Sequence, residues 1–251
     1  MVAKIHHIGI VVEKLEVAYT FYRDTLGLPV IREAEVPDQG VRAALLAAGE
    51  NEVELLEPVA AGSGVARFLA KHGEGLHHLC FETGDVGVAL GQLRAKGVAL
   101  IDQAPRPGLA GLIAFLHPSA CAGVLVELAT PWPLSLPLPS PIRLKRLVIG
   151  AKDPRATAEL FQGLFALPDQ VTINDRSRVM LSVGRSSLLM VPQEEVGGME
   201  GMVALSMVTE DLEALVRRLE EAGATVLKGS GEVTVDPRSS HGVHLHISRY
   251  E

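Results

Sequence analysis

The hydrophobic and polar positions of the chain change their period in a fixed order: strand-like, helical, then strand-like three times. A period of two predicts a strand, and a spacing of three to four residues predicts a helix. The first predicted elements are a strand over 5–12, a helix over 17–26 that Gly27 ends, and strands near 29–36, 41–48 and 52–57. In that helix, Val17, Phe21 and Thr25 are expected on related faces. This order is a β-α-β-β-β module.

The same order then recurs along the chain. The second module consists of a predicted strand over 77–82, a helix from the N-cap Asp85 to Lys96, and strands near 98–102, 111–116 and 123–129. The second half repeats the pattern with a strand over 144–151, a helix from Asp153-Pro154 to Phe165, and a helix from Asp211 to Ala222. Pro168 follows Pro29 by 139 residues, and Asp211 follows Asp85 by 126. This self-similarity indicates internal duplication.

A proline-rich stretch divides the chain into two halves. Residues 131–141 contain five prolines in eleven positions, a composition typical of a stiff, extended connector. We therefore predict one domain over 1–130, a linker over 131–141 and a second domain over 142–251. The predicted fold class is α+β, with four βαβββ modules paired two by two.

Composition narrows the classes of function. Of the 251 residues, 47% are hydrophobic, yet no apolar run approaches the roughly 20 residues of a membrane helix. The N-terminus enters a strand pattern without an apolar signal core, so we expect a cytoplasmic protein. The net charge of -7 is spread without a basic stripe, which argues against a nucleic-acid partner. Cys80 and Cys121 lack Cys-x-x-Cys spacing and are expected to be buried free thiols.

Four potential metal ligands stand at matching positions on four predicted strands. His7 and Glu54 lie on the first and last strands of module one, and His78 and Glu127 on those of module two. Two imidazoles and two carboxylates suit one divalent ion, such as Co²⁺, Zn²⁺, Ni²⁺ or Mn²⁺, with positions left for substrate oxygens. Alternatively, the two glutamates alternate out to solvent, which explains each alone but not the four matching positions.

The remaining histidines are given structural roles. Alternation along the strand over 77–82 places His78 on one face and His77 on the other, so His77 is expected to pack or to support a metal ligand rather than to bind metal itself. His72, His117 and His241 are expected in loops, with His117 fixing a turn before Pro118.

The first half also resembles a known superfamily. The segments that carry the resemblance are His7-Ile8-Gly9-Ile10, Phe21-Tyr22 with Leu26-Gly27-Leu28, Gln39-Gly40-Val41, Glu54-Leu55-Leu56-Glu57-Pro58, Phe68-Leu69 before Gly75-Leu76-His77-His78, Ala114-Phe115-Leu116-His117-Pro118 and Gly123-Val124-Leu125-Val126-Glu127-Leu128. Over nearly all of residues 4–130 the chain is similar to the vicinal-oxygen-chelate superfamily, and within it to the methylmalonyl-CoA epimerases. The resemblance implies that paired modules form open, cupped, barrel-like units, here as a fused pseudo-dimer.

The resemblance also implies a chemistry. The family's metal ligands fall on His7, Glu54, His78 and Glu127, and the activity is proton abstraction next to a thioester, with an acyl-CoA as substrate. Glu127 is the first candidate for a catalytic acid or base, and Glu54 is the second. The glutamate that several epimerases carry three residues after the Gly of Gln-Gly-Val is Ala43 here. No residue is assigned to an organic cofactor.

Two further sequence departures bear on this chemistry. The lysine that often follows His-Pro in the family is Ser119. The offsets place Arg146, Leu188, Ala204 and His246 where the first half has its four ligands. The second half is therefore expected to be a structural partner, standing where a second subunit stands in dimeric relatives. Alternatively, Arg146 and His246 line a metal-free pocket for an anion.

Other functions of the same fold stay open at this point. One is a glyoxalase I-like lyase or an extradiol-type dioxygenase, although a dioxygenase prefers two histidines and one carboxylate, against which the fourth ligand argues. Another is a metal-free small-molecule binding protein. The chain is expected as a monomer, being a fused pseudo-dimer, or as a further homodimer.

Overall fold

The computed structural model describes residues 2–133, 138–168, 170–173 and 177–250. Of the predicted linker, residues 134–137 lie outside the described residues. The strands are β1 (Val2–Val11), β2 (Val30–Val36), β3 (Val41–Ala48), β4 (Asn51–Pro58), β5 (Gly75–Thr83), β6 (Arg106–Pro107), β7 (Gly111–Leu116), β8 (Val126–Pro131), β9 (Ile142–Ala151), β10 (Val171–Ile173), β11 (Arg178–Val183), β12 (Ser186–Pro192), β13 (Gly201–Thr209), β14 (Val226–Gly229), β15 (Glu232–Val235) and β16 (His244–Ser248).

In the described parts of the chain, helices are fewer than strands. The α-helices are α1 (Leu15–Tyr19), α2 (Gly64–His72), α3 (Val86–Ala95), α4 (Pro154–Phe165) and α5 (Leu212–Glu221). A π-helix, Thr20–Thr25, continues α1, and short 3₁₀ turns cover Pro37–Gln39, Pro118–Ala120, Gln193–Val196 and Pro237–Ser239. No helix in these described ranges is both long and apolar enough to cross a membrane.

The strands form two eight-stranded sheets of the same design. The first sheet has the order β2-β3-β4-β1-β5-β8-β7-β6, and the second has the order β10-β11-β12-β9-β13-β16-β15-β14. In each module the last three strands are antiparallel neighbours, and the last returns parallel to the first. The predicted α+β class with four βαβββ modules and internal duplication is confirmed.

Helix α1 differs from its prediction. Val17 was expected on the apolar face, but it is exposed, and the buried residues of α1 are Leu15, Ala18 and Tyr19. The helix begins two residues earlier than predicted because Glu57 of β4 accepts a hydrogen bond from the Leu15 amide at 3.0 Å, satisfying one free N–H of its first turn. The following π-helical turn changes the helical period, so that Phe21 and Tyr22 are both buried.

Two other elements in the first half were predicted wrongly. Residues 98–102 form no strand; Leu100 makes an isolated bridge to Leu116, and the short β6 lies at the sheet edge. His72 is in helix α2 rather than a loop. Ser63 caps this helix by accepting a hydrogen bond from the Ala66 amide at 3.1 Å, which is a standard N-cap.

Contact density divides the chain into two compact units, each of which takes one module from either half. The first unit comprises the described parts of residues 1–6, 78–135 and 146–203. Its core includes the ring contact between Phe81 and Phe165, with centroids 4.8 Å apart, and Lys96 donates a hydrogen bond to the Gly163 carbonyl at 2.6 Å. Aromatic pairs of this kind contribute beyond the area they bury.

The second unit comprises residues 7–77, the described part of 136–145, and 204–250. Within it, the buried Tyr22 hydroxyl donates to the Ser240 carbonyl at 2.9 Å, and Glu74 contacts His241 Nδ1 at 2.9 Å. Burial raises the pKa of Tyr22, so its hydroxyl stays protonated as a donor. Modules from the two halves are therefore joined by specific polar contacts as well as apolar ones.

The two units contain equivalent close contacts. In one, a Cβ at Gly49, in the β3–β4 turn, would lie 2.5 Å from the Cβ of Arg143 on β9. In the other, a Cβ at Gly184, in the β11–β12 turn, would lie 2.9 Å from the Cβ of Lys4 on β1. Because Arg143 follows Lys4 by the repeat offset of 139 residues, the contacts are reciprocal, as in an isologous dimer interface.

Gly242 provides a test of how tightly the second unit is packed. Its φ is +77°, and an added Cβ would lie 1.9 Å from the Glu74 carbonyl oxygen. We expect Gly242→Ala to lower the free energy of unfolding by about 3 kcal/mol or more, since backbone strain and steric overlap add. The control is Gly223→Ala, where φ is +76° but no atom lies within 4 Å. It should cost only about 1 kcal/mol in denaturant unfolding; equal losses would contradict the packing argument.

Candidate functional site

His7 and Glu54 are brought together by the parallel pairing of β1 with β4. The register pairs Gly9 with Glu54, which places the glutamate two residues along from the position opposite His7. Two residues is one full period of a strand, so both side chains lie on the same face of the sheet. His7 Nε2 lies 3.5 Å from Glu54 Oε2, and both residues are buried.

His78 and Glu127 form a second pair of the same kind. The parallel register of β5 and β8 pairs Cys80 with Glu127, again two residues from the histidine. His78 Nε2 lies 3.5 Å from Glu127 Oε2, and the two residues are only 1% and 3% exposed. The alternative in which the two glutamates point to solvent is therefore wrong.

The geometry of these side chains suits a metal ion. Within each pair, an imidazole nitrogen and a carboxylate oxygen lie 3.5 Å apart. Two ligands bound to one ion at about 2.0–2.2 Å lie about 3.0–3.5 Å apart in octahedral or tetrahedral geometry. Nitrogen and carboxylate donors match borderline divalent ions, so small side-chain movements would let these residues hold one.

The pKa values of these buried residues also fit a bound cation. Burial raises the pKa of Glu54 to about 8 and lowers the pKa of His78 to about 3. Both shifts reflect the cost of charge in a water-poor site. A divalent cation at this position would favour the ionised carboxylate and use the neutral imidazole as ligand. These donors therefore suit a cation.

Cys80 and His6 also adjoin the group, although the sequence pattern did not single them out as site residues. Cys80 Sγ lies 3.5 Å from Glu127 Oε1. Burial lowers the pKa of His6 to about 4. The sequence signal that could have identified Cys80 is the period of two in its strand, which places Cys80 on the same face as His78. The predicted buried free thiols at Cys80 and Cys121 are confirmed.

The remaining first-half predictions concern residues beside the site. Ala43 is buried on β3 opposite Leu56, and the neighbouring Arg42 forms ion pairs with Glu16 and Glu33. No acid replaces the missing glutamate at position 43. His77 packs edge-on against Phe68 of α2, with ring centroids 4.9 Å apart, which confirms its packing role.

Two loop histidines behave as predicted. His117 Nδ1 lies 2.7 Å from Ser119 Oγ and accepts a hydrogen bond from the Ser119 amide, so it fixes the turn at Pro118. His241 lies in a loop with φ of +55° and contacts Glu74.

The second half holds different residues at the equivalent positions. The strand register pairs Val148 with Leu189, so the counterpart of Glu54 is Leu189 rather than the predicted Leu188. The counterpart of Glu127 remains His246, since Ser206 pairs with it as Cys80 pairs with Glu127. His246 Nε2 lies 3.0 Å from Glu232 Oε2. An apolar residue replaces one acid, and a histidine already paired to a carboxylate replaces the other.

Arg146 stands at the position equivalent to His7. Burial lowers the pKa of its guanidinium, and its Nε is buried without a hydrogen-bond partner among the described residues. This cation does not suit a metal site.

Four βαβββ modules in two sheets, with a buried histidine–glutamate pair on the first and last strands of two of them, define the class of fold. Residues 6–115 match the Glyoxalase/Bleomycin resistance protein/Dioxygenase superfamily. The chain is 36% identical over 127 residues to the mitochondrial methylmalonyl-CoA epimerase of Bos taurus, covering 50% of this chain and 73% of that protein. The chain belongs to the glyoxalase/bleomycin resistance/dioxygenase superfamily.

Two solved structures are similar to the chain, one over about half of its length and the other over nearly all of it. A methylmalonyl-CoA epimerase in complex with methylmalonyl-CoA and NH₄⁺ is 40% identical with a TM-score of 0.51, covering 55% of this chain and all of that one. A mutant 4-hydroxymandelate synthase from Streptomyces coelicolor is 16% identical with a TM-score of 0.72, covering 98% of this chain and 92% of that one. The second similarity concerns the fold alone, and extends it over both halves.

Glu54 makes the stability of the metal-free protein depend on pH. Its folded pKa of about 8 lies above its ordinary value of 4.5, so the folded state loses stability as pH rises between these values. We expect Glu54→Gln to be more stable than wild type above pH 8, by up to about 4 kcal/mol, with the gap closing toward pH 4.5.

Urea unfolding of chelator-treated protein across this pH range measures the difference. Glu35→Gln, on an exposed part of β2, controls for the loss of one charge. Parallel pH curves for wild type and Glu54→Gln would show that the carboxyl is not desolvated.

Proposed function

We propose that the chain is a metal-dependent epimerase that abstracts the α-proton of a methylmalonyl-CoA-like thioester. The observation that carries this proposal is the two buried histidine–glutamate pairs at equivalent strand positions, His7 with Glu54 and His78 with Glu127. Support also comes from relatives that are epimerases by name and match half of this chain. The relatives match the first half of the chain, and the four side chains lie in that same half.

The four side chains would hold one divalent ion, and Co²⁺, Zn²⁺, Ni²⁺ and Mn²⁺ all suit this donor set. When bound, the ion supplies a Lewis acid that stabilises negative charge developing on substrate oxygens. Two carboxylates are available for proton transfer, Glu54 and Glu127, and both are buried. Glu127 is the proposed base, and Glu54 is the proposed second acid–base group.

We further propose that residues 1–130 form the catalytic domain, 131–141 the linker, and 142–251 a scaffolding domain. The reciprocal contacts of Gly49 and Gly184 support this division, since they repeat an isologous interface within one chain. The replacement of the ligands by Arg146, Leu189, Ala204 and His246 supports a structural role for the second half.

The ligand set predicts the metal content. Purified wild-type protein should contain about one divalent ion per chain, and His78→Ala should lose it because one of four donors is removed. The matched control is His77→Ala, which removes the neighbouring imidazole that packs on Phe68. Elemental analysis after metal supplementation and desalting measures the content. Two ions per chain, none in wild type, or full retention in His78→Ala would contradict the single site.

The proposed base predicts the dependence of proton exchange on Glu127. We expect wild type to exchange the α-proton of methylmalonyl-CoA with deuterated solvent, and Glu127→Gln to do so about 10²–10⁴-fold more slowly. NMR of the substrate follows the exchange, and metal content is measured on the same samples so that loss of the ion is recognised.

Glu82→Gln is the control, because Glu82 lies on neighbouring β5 and pairs with Lys4 at 3.5 Å. Exchange retained by Glu127→Gln would exclude Glu127 as the base. A parallel assay with methylglyoxal and glutathione tests the glyoxalase I-like alternative: turnover there, without exchange in methylmalonyl-CoA, would replace the epimerase proposal.

A further inference from the structure

Glu127 has two carboxylate oxygens with different surroundings. Oε2 lies 3.5 Å from His78 Nε2, and Oε1 lies 3.5 Å from Cys80 Sγ. Glu127 is 3% exposed and Cys80 is fully buried, so both contacts lie out of bulk water. The orientation of the carboxylate decides which oxygen can reach a bound ion.

The sheet fixes which residues flank Glu127. The β5–β8 register pairs it with Cys80, and the β7–β8 register pairs it with Phe115. The Phe115 ring packs edge-on against His78, with centroids 5.4 Å apart, and offers no hydrogen-bond donor. Of these two flanking side chains, only Cys80 carries a polar hydrogen.

The thiol has one hydrogen and two acceptors within reach. Cys80 Sγ lies 3.5 Å from Glu127 Oε1 and 3.8 Å from the Phe81 carbonyl. The carboxylate contact is the shorter one, and a charged acceptor makes the stronger hydrogen bond. The S–H group is therefore directed at Oε1.

We propose that Cys80 is a positioning residue, whose thiol holds Glu127 Oε1 so that Oε2 alone is presented to the metal. This inference rests on the proposed function, since it concerns the geometry of a proposed ligand. Such outer partners of metal ligands commonly change metal affinity by about 10–100-fold when removed. A thiol is a weak donor, so the lower end of that range is expected.

The second half suggests the conservative variant. Ser206 pairs with His246 as Cys80 pairs with Glu127, and it is buried as well. This sheet position therefore accommodates a hydroxyl in the repeated fold. Cys80→Ser keeps a donor at nearly the same place, whereas Cys80→Ala removes it.

The test measures Co²⁺ binding and the visible absorption of the bound ion, using full-length protein. We expect Cys80→Ala to bind Co²⁺ about tenfold more weakly and to shift the visible bands, because the freed carboxylate changes its mode of coordination. Cys80→Ser should bind Co²⁺ within about threefold of the wild-type affinity and should keep the wild-type visible bands. Cys121→Ala, which removes the other buried thiol, should leave both unchanged.

Other outcomes overturn the proposal in distinguishable ways. Wild-type affinity and spectrum in Cys80→Ala would show that the thiol does not position Glu127. An intense near-ultraviolet sulfur-to-cobalt band in wild type, lost in Cys80→Ala, would make Cys80 a metal ligand instead. Unchanged Co²⁺ binding in Glu127→Gln, or none in wild type, would overturn the proposed ligand set itself. Circular dichroism and thermal unfolding verify that each variant is folded.

Discussion

The parallel pairing of the first and last strands in each module is the constraint on which the site depends. Each module leaves its first strand through a helix and returns through three antiparallel strands, so that β4 pairs with β1 and β8 with β5. Parallel neighbours need such a crossover connection. A side chain on the first strand then meets one on the last, two residues out of register. His7 meets Glu54 and His78 meets Glu127 for this reason, although long stretches of chain separate the partners.

This arrangement has an energetic consequence. Four ionisable residues are buried in the sheet, and burying an uncompensated charge is costly. The pKa shifts of Glu54 and His78 show the response without a cation: a carboxyl that keeps its proton and an imidazole that stays neutral. A bound metal ion would favour loss of the Glu54 proton and would use the neutral His78 imidazole as a ligand. The same low-polarity surroundings make a weak contact such as the Cys80 thiol consequential, since few waters compete for the carboxylate.

Much of this could be predicted from sequence because hydrophobic period and turn residues are local signals. The modules, the caps at Asp85 and Asp153, and the duplication follow from them. The predictions were wrong where residues distant in the sequence determine the local structure. Val17 is exposed because Glu57, 40 positions later, sets the start of α1. The counterpart of Glu54 is Leu189 and not the predicted Leu188, because the β9–β12 register rather than an offset along the chain decides it. Cys80 could be placed on the correct face, but its distance to Glu127 depends on strand pairing between residues 47 positions apart.

The second half shows how the fold survives when this chemistry is absent. Its strands repeat the same registers, so the positions of the four ligands exist, and any residue there must be tolerated in the interior. Leu189 and Ala204 remove the need for a compensating charge, and His246 meets Glu232 instead of an ion. The interface contacts are kept, since Lys4 and Arg143 each pack on a turn of the opposite half. Packing contacts and the candidate site thus use different side chains of the same strands, so the residues at the site positions can change while the packing contacts stay.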